Sequence, residues 1–363
     1  MGYPTTILLC FSLLTFGCTN SDKNTGVEDI KLKDYRPESL YATTGTEIDQ
    51  ARFPVIDMHS HSQYAESREE ILEWIETMDQ VGIEKAILLT KATGARFDSL
   101  HAVFSEWEDR FDLWCGIDYT GYESDENFTE KAVQELERLH ALGASGIGEL
   151  GDKGEGLFYS TPAKAYGMHI DDPRMDPILE KAGELGMPVN IHVAEPIWMY
   201  QPMDSTNDGL MNAYRWRLDN REGIKSHSEM VQILENAVRK HTNTTFVAAH
   251  MINSAYDLST LDRMLETYPN LYIEFGARFS ELAQIPRHVK AFITKHQDRV
   301  FYGTDMGRTA GMYRTTFKIL ESDDEHFYRH DLFGYHWSLN GFDLDDQVLE
   351  KVYRTNALQL ITK

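Results

Sequence analysis

The chain has 363 residues, of which 42% are hydrophobic and 11% aromatic, the composition of an ordinary globular protein. A (β/α)8 barrel needs about 250 residues, so the length accommodates one barrel with insertions and requires no second domain. The formal charge of −23 argues against non-specific binding to nucleic acid or to an anionic membrane, because both are themselves negatively charged.

The first eighteen residues have features of an export signal. Residues 7–16 form a mostly apolar run that is too short to span a bilayer as a helix. Gly17 and Cys18 follow, and a small residue directly before a cysteine resembles the lipobox of bacterial lipoproteins, in which the cysteine is acylated after cleavage. The segment has no Lys or Arg, and Thr15 stands where leucine is usual. An ordinary signal peptide or a plain N-terminus are therefore the alternatives.

We accordingly predict an exported lipoprotein at the periplasmic face or cell surface, in contact with the membrane through a lipid on Cys18. Residues 1–18 form the signal, the polar residues 19–45 a tether and residues 46–363 the catalytic domain. Of the three cysteines, Cys10 is then removed and Cys18 is lipidated. Cys115 remains alone, so no disulfide is expected.

From residue 52 onward, short apolar runs alternate with amphipathic stretches. The runs predict strands at 54–58, 85–89, 113–117, 146–150, 188–193, 245–249, 271–275 and 300–303. Helical periodicity predicts helices at 68–80, 131–142, 177–185, 228–240 and 260–268, and a terminal helix at 345–360. Strands that alternate with helices in this way indicate a single-domain (β/α)8 TIM barrel. Its long connections, 151–172 and 195–227, follow strands four and five, on the face where barrel enzymes keep their chemistry.

Strand one ends in a pair of histidines, His59 and His61. Alternate side chains of a strand share a face, so both imidazoles are predicted to point into the mouth of the barrel. Two imidazoles on one face suit a first-row divalent metal. Taken alone the pair is weak evidence, because His-X-His sequences are frequent by chance.

Three other strands also end in a titratable residue: His192 on strand five, His250 on strand six and Asp305 on strand eight. Any one of them, considered singly, is more often a hydrogen-bonded core residue than a ligand. Because all lie at the same end of one barrel, together they predict a metal centre.

This pattern resembles the amidohydrolase superfamily over about residues 52–360. That family has His-X-His on strand one, histidines on strands five and six, and an aspartate on strand eight. The matching positions here are His59, His61, His192, His250 and Asp305. The sequence Tyr-Arg-Thr-Asn-Ala at 353–357 looks like the terminal helix of the amidohydrolase-related branch. The segment before residue 52 is too short for the β-sandwich domain of many other members. The resemblance implies a metal-dependent enzyme, in a branch that includes lactonases, decarboxylases and hydratases.

Glu149 at the end of strand four has two interpretations. Many two-metal members of the superfamily carry a carbamylated lysine there, and TatD-type nucleases carry a glutamate, which implies a carboxylate that bridges two metals. The alternative is an ion pair with Lys153 or a loop residue. The resemblance thus implies one or two divalent ions, zinc or alternatively manganese. The implied ligands are His59, His61, Glu149, His192, His250 and Asp305.

We predict two catalytic residues in this set. Asp305 accepts the proton of the attacking water as general base, and afterwards hands it to the leaving group. If a single metal binds, His250 instead polarises a carbonyl or positions the nucleophile, as one-metal members of the family imply.

Substrate binding is predicted at two places near the barrel mouth. Arg278, after strand seven, is a candidate fork for a carboxylate. Trp198, Tyr200 and Arg215, on the connection after strand five, are candidates for a lid over a sugar or a ring-bearing acid. Plain packing of this insertion onto the barrel is the alternative for the aromatic residues.

These residues predict a hydrolase that uses metal-activated water on a small ester, lactone or amide. A metal-dependent decarboxylase or hydratase of the same superfamily is the alternative, since it uses the same metal and the same Asp305. A binding protein that has lost catalysis is disfavoured, because a binder needs no general base. The charge disfavours a nuclease. The predicted partner is a small molecule, and the sequence does not specify the oligomeric state.

Overall fold

The structure is a computed structural model that describes residue 2, residues 26–43 and residues 45–361. Most of the predicted signal, including Cys18, and the first residues of the predicted tether lie outside the described residues. The chain divides into two units, Met1–Tyr35 and Arg36–Lys363. In the first unit, the described residues form two 3-10 turns, Val27–Asp29 and Leu32–Asp34.

The second unit is built on eight parallel strands that hydrogen-bond in chain order. They are β1 (Val55–Ser60), β2 (Ile83–Leu89), β3 (Phe111–Cys115), β4 (Gly146–Asp152), β5 (Val189–Val193), β6 (Phe246–Ala248), β7 (Leu271–Glu274) and β8 (Val300–Phe301). The first and last strands meet where the Met58 N–H donates to the Tyr302 carbonyl at 3.0 Å. The predicted TIM barrel is confirmed, and the predicted strands at 85–89 and 113–117 are observed as Ile83–Leu89 and Phe111–Cys115.

A helix follows each strand. They are α1 (Arg68–Val81), α2 (Gly94–Phe104), α3 (Phe128–Leu142), α4 (Asp176–Glu184), α5 (His227–Lys240), α6 (Leu258–Thr267), α7 (Pro286–Lys295) and α8 (Ala310–Glu321). The start of α1 is set by a capping box, in which Ser67 and Glu70 satisfy each other's backbone N–H groups. Among the described helices, none combines the length and apolar character needed to cross a membrane.

The predicted terminal helix is present as three consecutive helical segments. They are Asp346–Glu350, a π-helical turn at Lys351–Thr355, and Asn356–Ile361. Ala357 and Leu360 of the last segment pack with the apolar cluster inside the barrel, which includes Met58, Trp114 and Phe301. A second, larger apolar layer lies between the strands and the surrounding helices. The interior below the mouth is therefore filled with side chains, and chemistry is confined to the strand ends.

Both predicted long connections lie on the C-terminal face of the barrel. The connection after β4 contains a short antiparallel hairpin formed by Gly156–Leu157 and Ala165–Tyr166. The connection after β5 contains a short helix, Leu210–Ala213. These insertions supply part of the wall around the mouth described below.

The last residues of the predicted tether contact the barrel. His330 Nε2 donates to the Pro37 carbonyl at 2.8 Å, and Thr46 donates through its N–H and its hydroxyl to Asp324, at 2.8 and 2.7 Å. Pro37 lies before position 45 and Thr46 after it, so residues on both sides of this position bond the barrel. The predicted domain boundary between residues 45 and 46 stays a prediction.

Candidate metal centre

Six titratable side chains meet at the C-terminal ends of the strands. Their ligand atoms form three groups in each of which all atoms lie within 4.8 Å of one another. The groups are His59, His250 and Asp305; His59, His61 and Glu149; and Glu149, His192 and His250. All six residues that the sequence analysis selected as candidate metal ligands are thus brought together.

A local irregularity of β1 places both of its histidines in the centre. The register with β2 shifts between Asp57 and Ser60. Met58 packs inside the barrel, whereas Asp57 accepts hydrogen bonds from Thr304 on the other side of the strand. A register shift of this kind re-aims the following side chains and is frequent beside active sites. It allows His59 and His61 to reach the same centre.

Each of the four imidazoles uses one ring nitrogen to bond a protein acceptor. The partners are Glu274 Oε1 for His59 Nδ1 at 2.9 Å, the Leu89 carbonyl for His61 Nδ1 at 2.9 Å, the Ala194 carbonyl for His192 Nε2 at 2.9 Å and the Gly276 carbonyl for His250 Nδ1 at 2.7 Å. Carbonyl and carboxylate oxygens only accept, so each of these nitrogens carries the proton. The second nitrogen of each ring faces the centre and its carboxylates. Without its proton it would offer a lone pair to a metal, the arrangement typical of metal-binding histidines.

The carboxylate of Glu149 lies between these nitrogens. Its Oε1 is 2.9 Å from His192 Nδ1, 3.3 Å from His250 Nε2 and 3.8 Å from His59 Nε2. Its Oε2 is 2.9 Å from Lys91 Nζ and 3.9 Å from His61 Nε2. The alternative for this glutamate, an ion pair with Lys153 or a loop residue, is present in its second form. Lys153 pairs with Glu195, and Glu149 pairs with Lys91 in the loop after β2.

Asp305 closes the centre on the side of the cavity. Its Oδ1 is 2.9 Å from His61 Nε2 and 3.6 Å from His59 Nε2, and its Oδ2 is 3.9 Å from His250 Nε2. A quarter of its side chain is exposed, compared with 3% for Glu149. Asp305 is therefore the carboxylate of the centre that a bound substrate can reach.

The inner nitrogen of His59 tests whether a metal fits. His59 is fully buried, and its Nε2 has no hydrogen-bond partner among the described residues. This nitrogen faces the carboxylates of Glu149 and Asp305, at 3.8 and 3.6 Å. Their negative charges favour a positive charge at this position, which a proton on the ring or a divalent cation in its place supplies. Imidazole and carboxylate donors are those that first-row divalent metals prefer. The residues present therefore fit a divalent metal.

The electrostatics of the centre favour bound cations. Burial by itself lowers the pKa of His59, but the negative charges of Asp305 and Glu274 outweigh burial and raise the pKa to about 10. Burial alone would raise the pKa of Glu149, but Lys91 and the neighbouring imidazoles hold it well below its usual range. Glu149 is therefore ionised at neutral pH, which is the form that binds a metal.

The loop after β6 is held in a strained conformation. His250, Met251, Ile252 and Asn253 all have left-handed backbones, with φ of 58°, 56°, 56° and 52°. This region costs roughly 1–2 kcal/mol per residue for non-glycine residues. Hydrogen bonds compensate: the His250 N–H donates to Glu274 Oε1 at 2.9 Å, and Asn253 Nδ2 to the Val193 carbonyl at 2.9 Å. Strain of this kind is concentrated at functional sites.

A cavity of about 470 Å3 opens above the centre. Its floor includes His61, Glu149, His192, His250 and Asp305, and the connections after β4 and β5 and the segment around residue 334 contribute its walls. Aromatic residues line it, namely Tyr64, Tyr159, Trp216, Phe333 and Tyr335. The volume lies in the range of small-molecule sites.

Arg278 lies in the wall of this cavity and is largely buried. Its Nε donates to Asn253 Oδ1 at 2.8 Å, and its Nη1 donates to the Ala277 carbonyl at 2.9 Å. Its Nη2 makes no hydrogen bond to a described residue and lies 3.8 Å from Glu195 Oε2. The bonds of Nε and Nη1 therefore fix the orientation of the guanidinium, and the N–H groups of Nη2 can donate to a ligand.

The other residues predicted to bind substrate lie outside the cavity wall. Trp198 packs against Trp337, with ring centroids 5.4 Å apart, and the Tyr200 hydroxyl accepts a hydrogen bond from the Glu195 N–H at 3.3 Å. Arg215 is exposed on the surface. Packing of the insertion, the alternative in the sequence analysis, accounts for both aromatic residues.

Several residues of the site were missed by sequence reasoning. Lys91, Lys153 and Glu195 line the cavity, and Glu274 orients His59. Lys91, Lys153 and Glu195 each follow a strand closely, at the end where the ligands lie, which is a weak signal that was available. Glu274 ends the seventh strand, so it carried the same signal as His192, His250 and Asp305, but nothing local in the sequence indicated that it orients His59.

The sequence model of the amidohydrolase family matches residues 56–362. The chain therefore belongs to the amidohydrolase family, a family of metal-dependent enzymes. No curated protein sequence matches it.

Several solved structures share the fold. A 2,6-dihydroxybenzoate decarboxylase from Rhizobium has a TM-score of 0.53 and 16% identity, over 85% of this chain and 99% of that one. A dihydroxybenzoic acid decarboxylase from Polaromonas sp. JS666, with manganese and 2-nitroresorcinol, has a TM-score of 0.53 and 15% identity, over 85% and 97%. A 5-carboxyvanillate decarboxylase from Novosphingobium aromaticivorans DSM 12444, with manganese and a nitrobenzoic acid, has a TM-score of 0.52 and 18% identity, over 88% and 100%.

Proposed function

We propose that this enzyme is a metal-dependent hydrolase of small esters, lactones or amides. The observation that carries the proposal is the position of Glu149, whose carboxylate belongs to two of the three groups of ligand atoms. A shared carboxylate suits a pair of divalent cations, and paired cations suit the activation of water. Zinc is the metal expected from the donor set, and manganese is the alternative, since two of the similar structures contain it.

The residues that hold the metal in this proposal are His59, His61, Glu149, His192, His250 and Asp305. A divalent cation bound there would lower the pKa of water towards neutrality and polarise a substrate oxygen. The protein contributes the orientation of the donors, which the hydrogen bonds to Glu274 and to three backbone carbonyls supply.

Asp305 acts as the general base. It is the most exposed carboxylate of the centre, and the Tyr64 hydroxyl lies 3.5 Å from its Oδ1. The oxygen of water bonds to the carbonyl carbon, and Asp305 takes the proton. As the bond from that carbon to the leaving oxygen or nitrogen breaks, Asp305 gives the proton to the leaving atom. His250, which also lines the cavity, helps to orient the carbonyl group.

The cavity suits a substrate that carries a ring and a carboxylate. Tyr159, Trp216 and Tyr335 provide apolar walls, and the open Nη2 edge of Arg278 can donate two hydrogen bonds to a carboxylate. Lys153 lies beside it and shares Glu195 with it. A sugar lactone with an acidic substituent, or an aromatic acid ester, meets these requirements.

Decarboxylation of an aromatic acid is the second candidate. The similar structures named above are decarboxylases of dihydroxybenzoates or of 5-carboxyvanillate. Two of them hold nitro-substituted aromatic ligands, 2-nitroresorcinol and a nitrobenzoic acid. Arg278 could donate to the carboxylate of such a substrate just as to that of an ester or lactone. In this reaction the bond between ring and carboxylate breaks and carbon dioxide leaves. A proton that Asp305 has first taken from water replaces it on the ring, and the hydroxide left from that water combines with the carbon dioxide as bicarbonate.

The two reactions are separated by following the oxygen of water. The enzyme is incubated with panels of lactones, aryl esters and hydroxybenzoates in ¹⁸O-labelled water. Hydrolysis places label in the product carboxyl group, and Asp305→Asn abolishes this. Release of carbon dioxide from a hydroxybenzoate, without turnover of any ester or lactone, would replace the first candidate by the second.

A further inference from the structure

We propose that Lys91 makes the two cation positions of this centre unequal, because its ammonium group competes with a bound cation for the carboxylate of Glu149. The inference deepens the proposed function and rests on it, since it concerns the metal that this function requires. The group formed by His59, His250 and Asp305 offers three ligand atoms without Glu149, whereas both other groups include Glu149. Even if both cations share this carboxylate, the competition therefore weakens mainly the position outside the group of His59, His250 and Asp305.

The backbone holds Lys91 at this place. Lys91 is left-handed, with φ of 59°, directly after β2. Its N–H donates to the Gly148 carbonyl at 3.1 Å, and its carbonyl accepts from the Thr161 N–H at 3.0 Å. Gly116 leaves room for it, since a Cβ there would come within 2.6 Å of the Lys91 oxygen. The lysine is therefore built into the site, between β4 and the connection that follows it.

The ammonium group is also fixed. Lys91 Nζ lies 2.9 Å from Glu149 Oε2 and 4.2 Å from the centroid of the Tyr159 ring. Three quarters of the Lys91 side chain is shielded, since its exposed fraction is 25%. A shielded ion pair of this kind is screened less by salt and water than a pair on the surface.

Lys91 pairs with only one of the two carboxylates of the metal centre. An ammonium group bonded to Glu149 Oε2 uses one of its lone pairs and repels a further cation on the same carboxylate. The polar neighbours of Asp305 are His59, His61, His250 and Tyr64, and no lysine or arginine bonds it among the described residues. Asp305 therefore binds a cation without this competition.

The expected consequence is stepwise loading. One cation is held at low metal concentration, and a second is added only at higher concentration, when it displaces Lys91 from Glu149. The number of cations per chain then depends on the free metal concentration. The charge of residue 91 sets the concentration at which the second cation binds.

The test measures the metal content of the purified holoenzyme after equilibrium dialysis against Mn²⁺ buffered at a series of free concentrations. For the wild type we expect two steps that differ at least about tenfold in dissociation constant. Lys91→Met should strengthen the weaker step at least about tenfold and leave the stronger one nearly unchanged. Lys91→Arg keeps the charge and should retain both steps.

Lys153→Met is the matched control. This lysine lines the same cavity but pairs with Glu195 and not with Glu149, so its removal should change either step much less than Lys91→Met changes the weaker one. The double variant Lys91→Met, Glu149→Gln should lose the weaker step, because it lacks the carboxylate for which Lys91 and the cation compete. Thermal unfolding shows whether each variant is folded, and Lys91→Gln repeats the test should Lys91→Met not fold.

Two equal steps in the wild type, or a weaker step that Lys91→Met leaves unchanged or loosens further, would overturn the inference. These outcomes do not depend on turnover, so they leave the proposed hydrolysis standing. Conversely, a protein that loads metal in two unequal steps but hydrolyses nothing would refute the proposed function alone.

Discussion

At the scale of single residues, the ligands of the centre differ in what orients them. His61, His192 and His250 bond backbone carbonyls, which any residue at the accepting position supplies. His59 depends on the side chain of Glu274, which also accepts from the His250 N–H. One buried glutamate therefore positions two of the imidazoles, one through its ring and one through its backbone.

Replacement of His59 and His61 together by alanine should remove bound metal. Both rings contribute nitrogens to the centre, and loss of two neutral donors weakens a site of mixed imidazole and carboxylate ligands by orders of magnitude. Metal analysis of the purified protein should give roughly one to two equivalents for the wild type and almost none for the variant. Full metal content and full activity in the double variant would show that these histidines are not ligands. His101→Ala, on α2, is the control.

Glu149→Ala should separate a shared ligand from a structural carboxylate. If Glu149 is shared by two cations, the substitution removes a ligand of both. Metal content then falls by about half, and kcat falls by orders of magnitude. Metal analysis and steady-state kinetics on the same preparation measure both. Unchanged metal and a rate reduced less than about tenfold would assign Glu149 to packing and charge balance.

At the scale of elements, the close approach of β3 and β4 determines how the floor of the site is supported. Trp114 of β3 lies fully buried inside the barrel, next to Gly146 at the start of β4. A Cβ at Gly146 would lie 2.4 Å from Trp114 Cδ2, closer than any van der Waals contact. The glycine is therefore required by the volume of the indole ring, and β4, which carries Glu149, is positioned against that ring.

Gly146→Ala should therefore destabilise the protein by roughly 1–3 kcal/mol, the usual cost of an overpacked core. Denaturant unfolding followed by tryptophan fluorescence measures this directly. Gly45→Ala is the matched control, because a Cβ there meets only the ends of the Asp324 and Lys318 side chains, at 3.5 Å. Equal stabilities of the two variants would mean that Trp114 can move aside at no cost.

At the scale of the whole molecule, we propose that the barrel is exported and tethered to a membrane through an acylated Cys18. The basis is the sequence of the first eighteen residues, and the polar residues that follow would serve as the spacer. Cys18→Ala should release the protein into a soluble fraction, whereas Ser21→Ala should not. Mass spectrometry of the mature N-terminus supplies the second readout, and an intact Met1 would refute the proposal.

The sequence by itself determined the barrel and its six candidate metal ligands. Apolar residues that recur about every 3.6 positions indicate a helix with one buried face, and those at every second position indicate a strand with one buried face. Helices and strands can therefore be assigned from local sequence. Because all strands of a parallel barrel end on one face, His192, His250 and Asp305 had to approach one another once the alternation was recognised. Glu149 also ends a strand, but its place among the ligands was implied by the resemblance to the amidohydrolase superfamily.

The partners of those residues were decided only by the tertiary structure. Glu149 pairs with Lys91 rather than with Lys153, which is nearer in sequence, and Trp216 rather than Trp198 lines the cavity. A periodicity specifies a buried face, but a hydrogen bond or ion pair depends on a few ångströms between segments that are distant in sequence. The register shift in β1 and the left-handed turns at the strand ends set those distances, because contacts across the barrel hold them in conformations that local propensity disfavours.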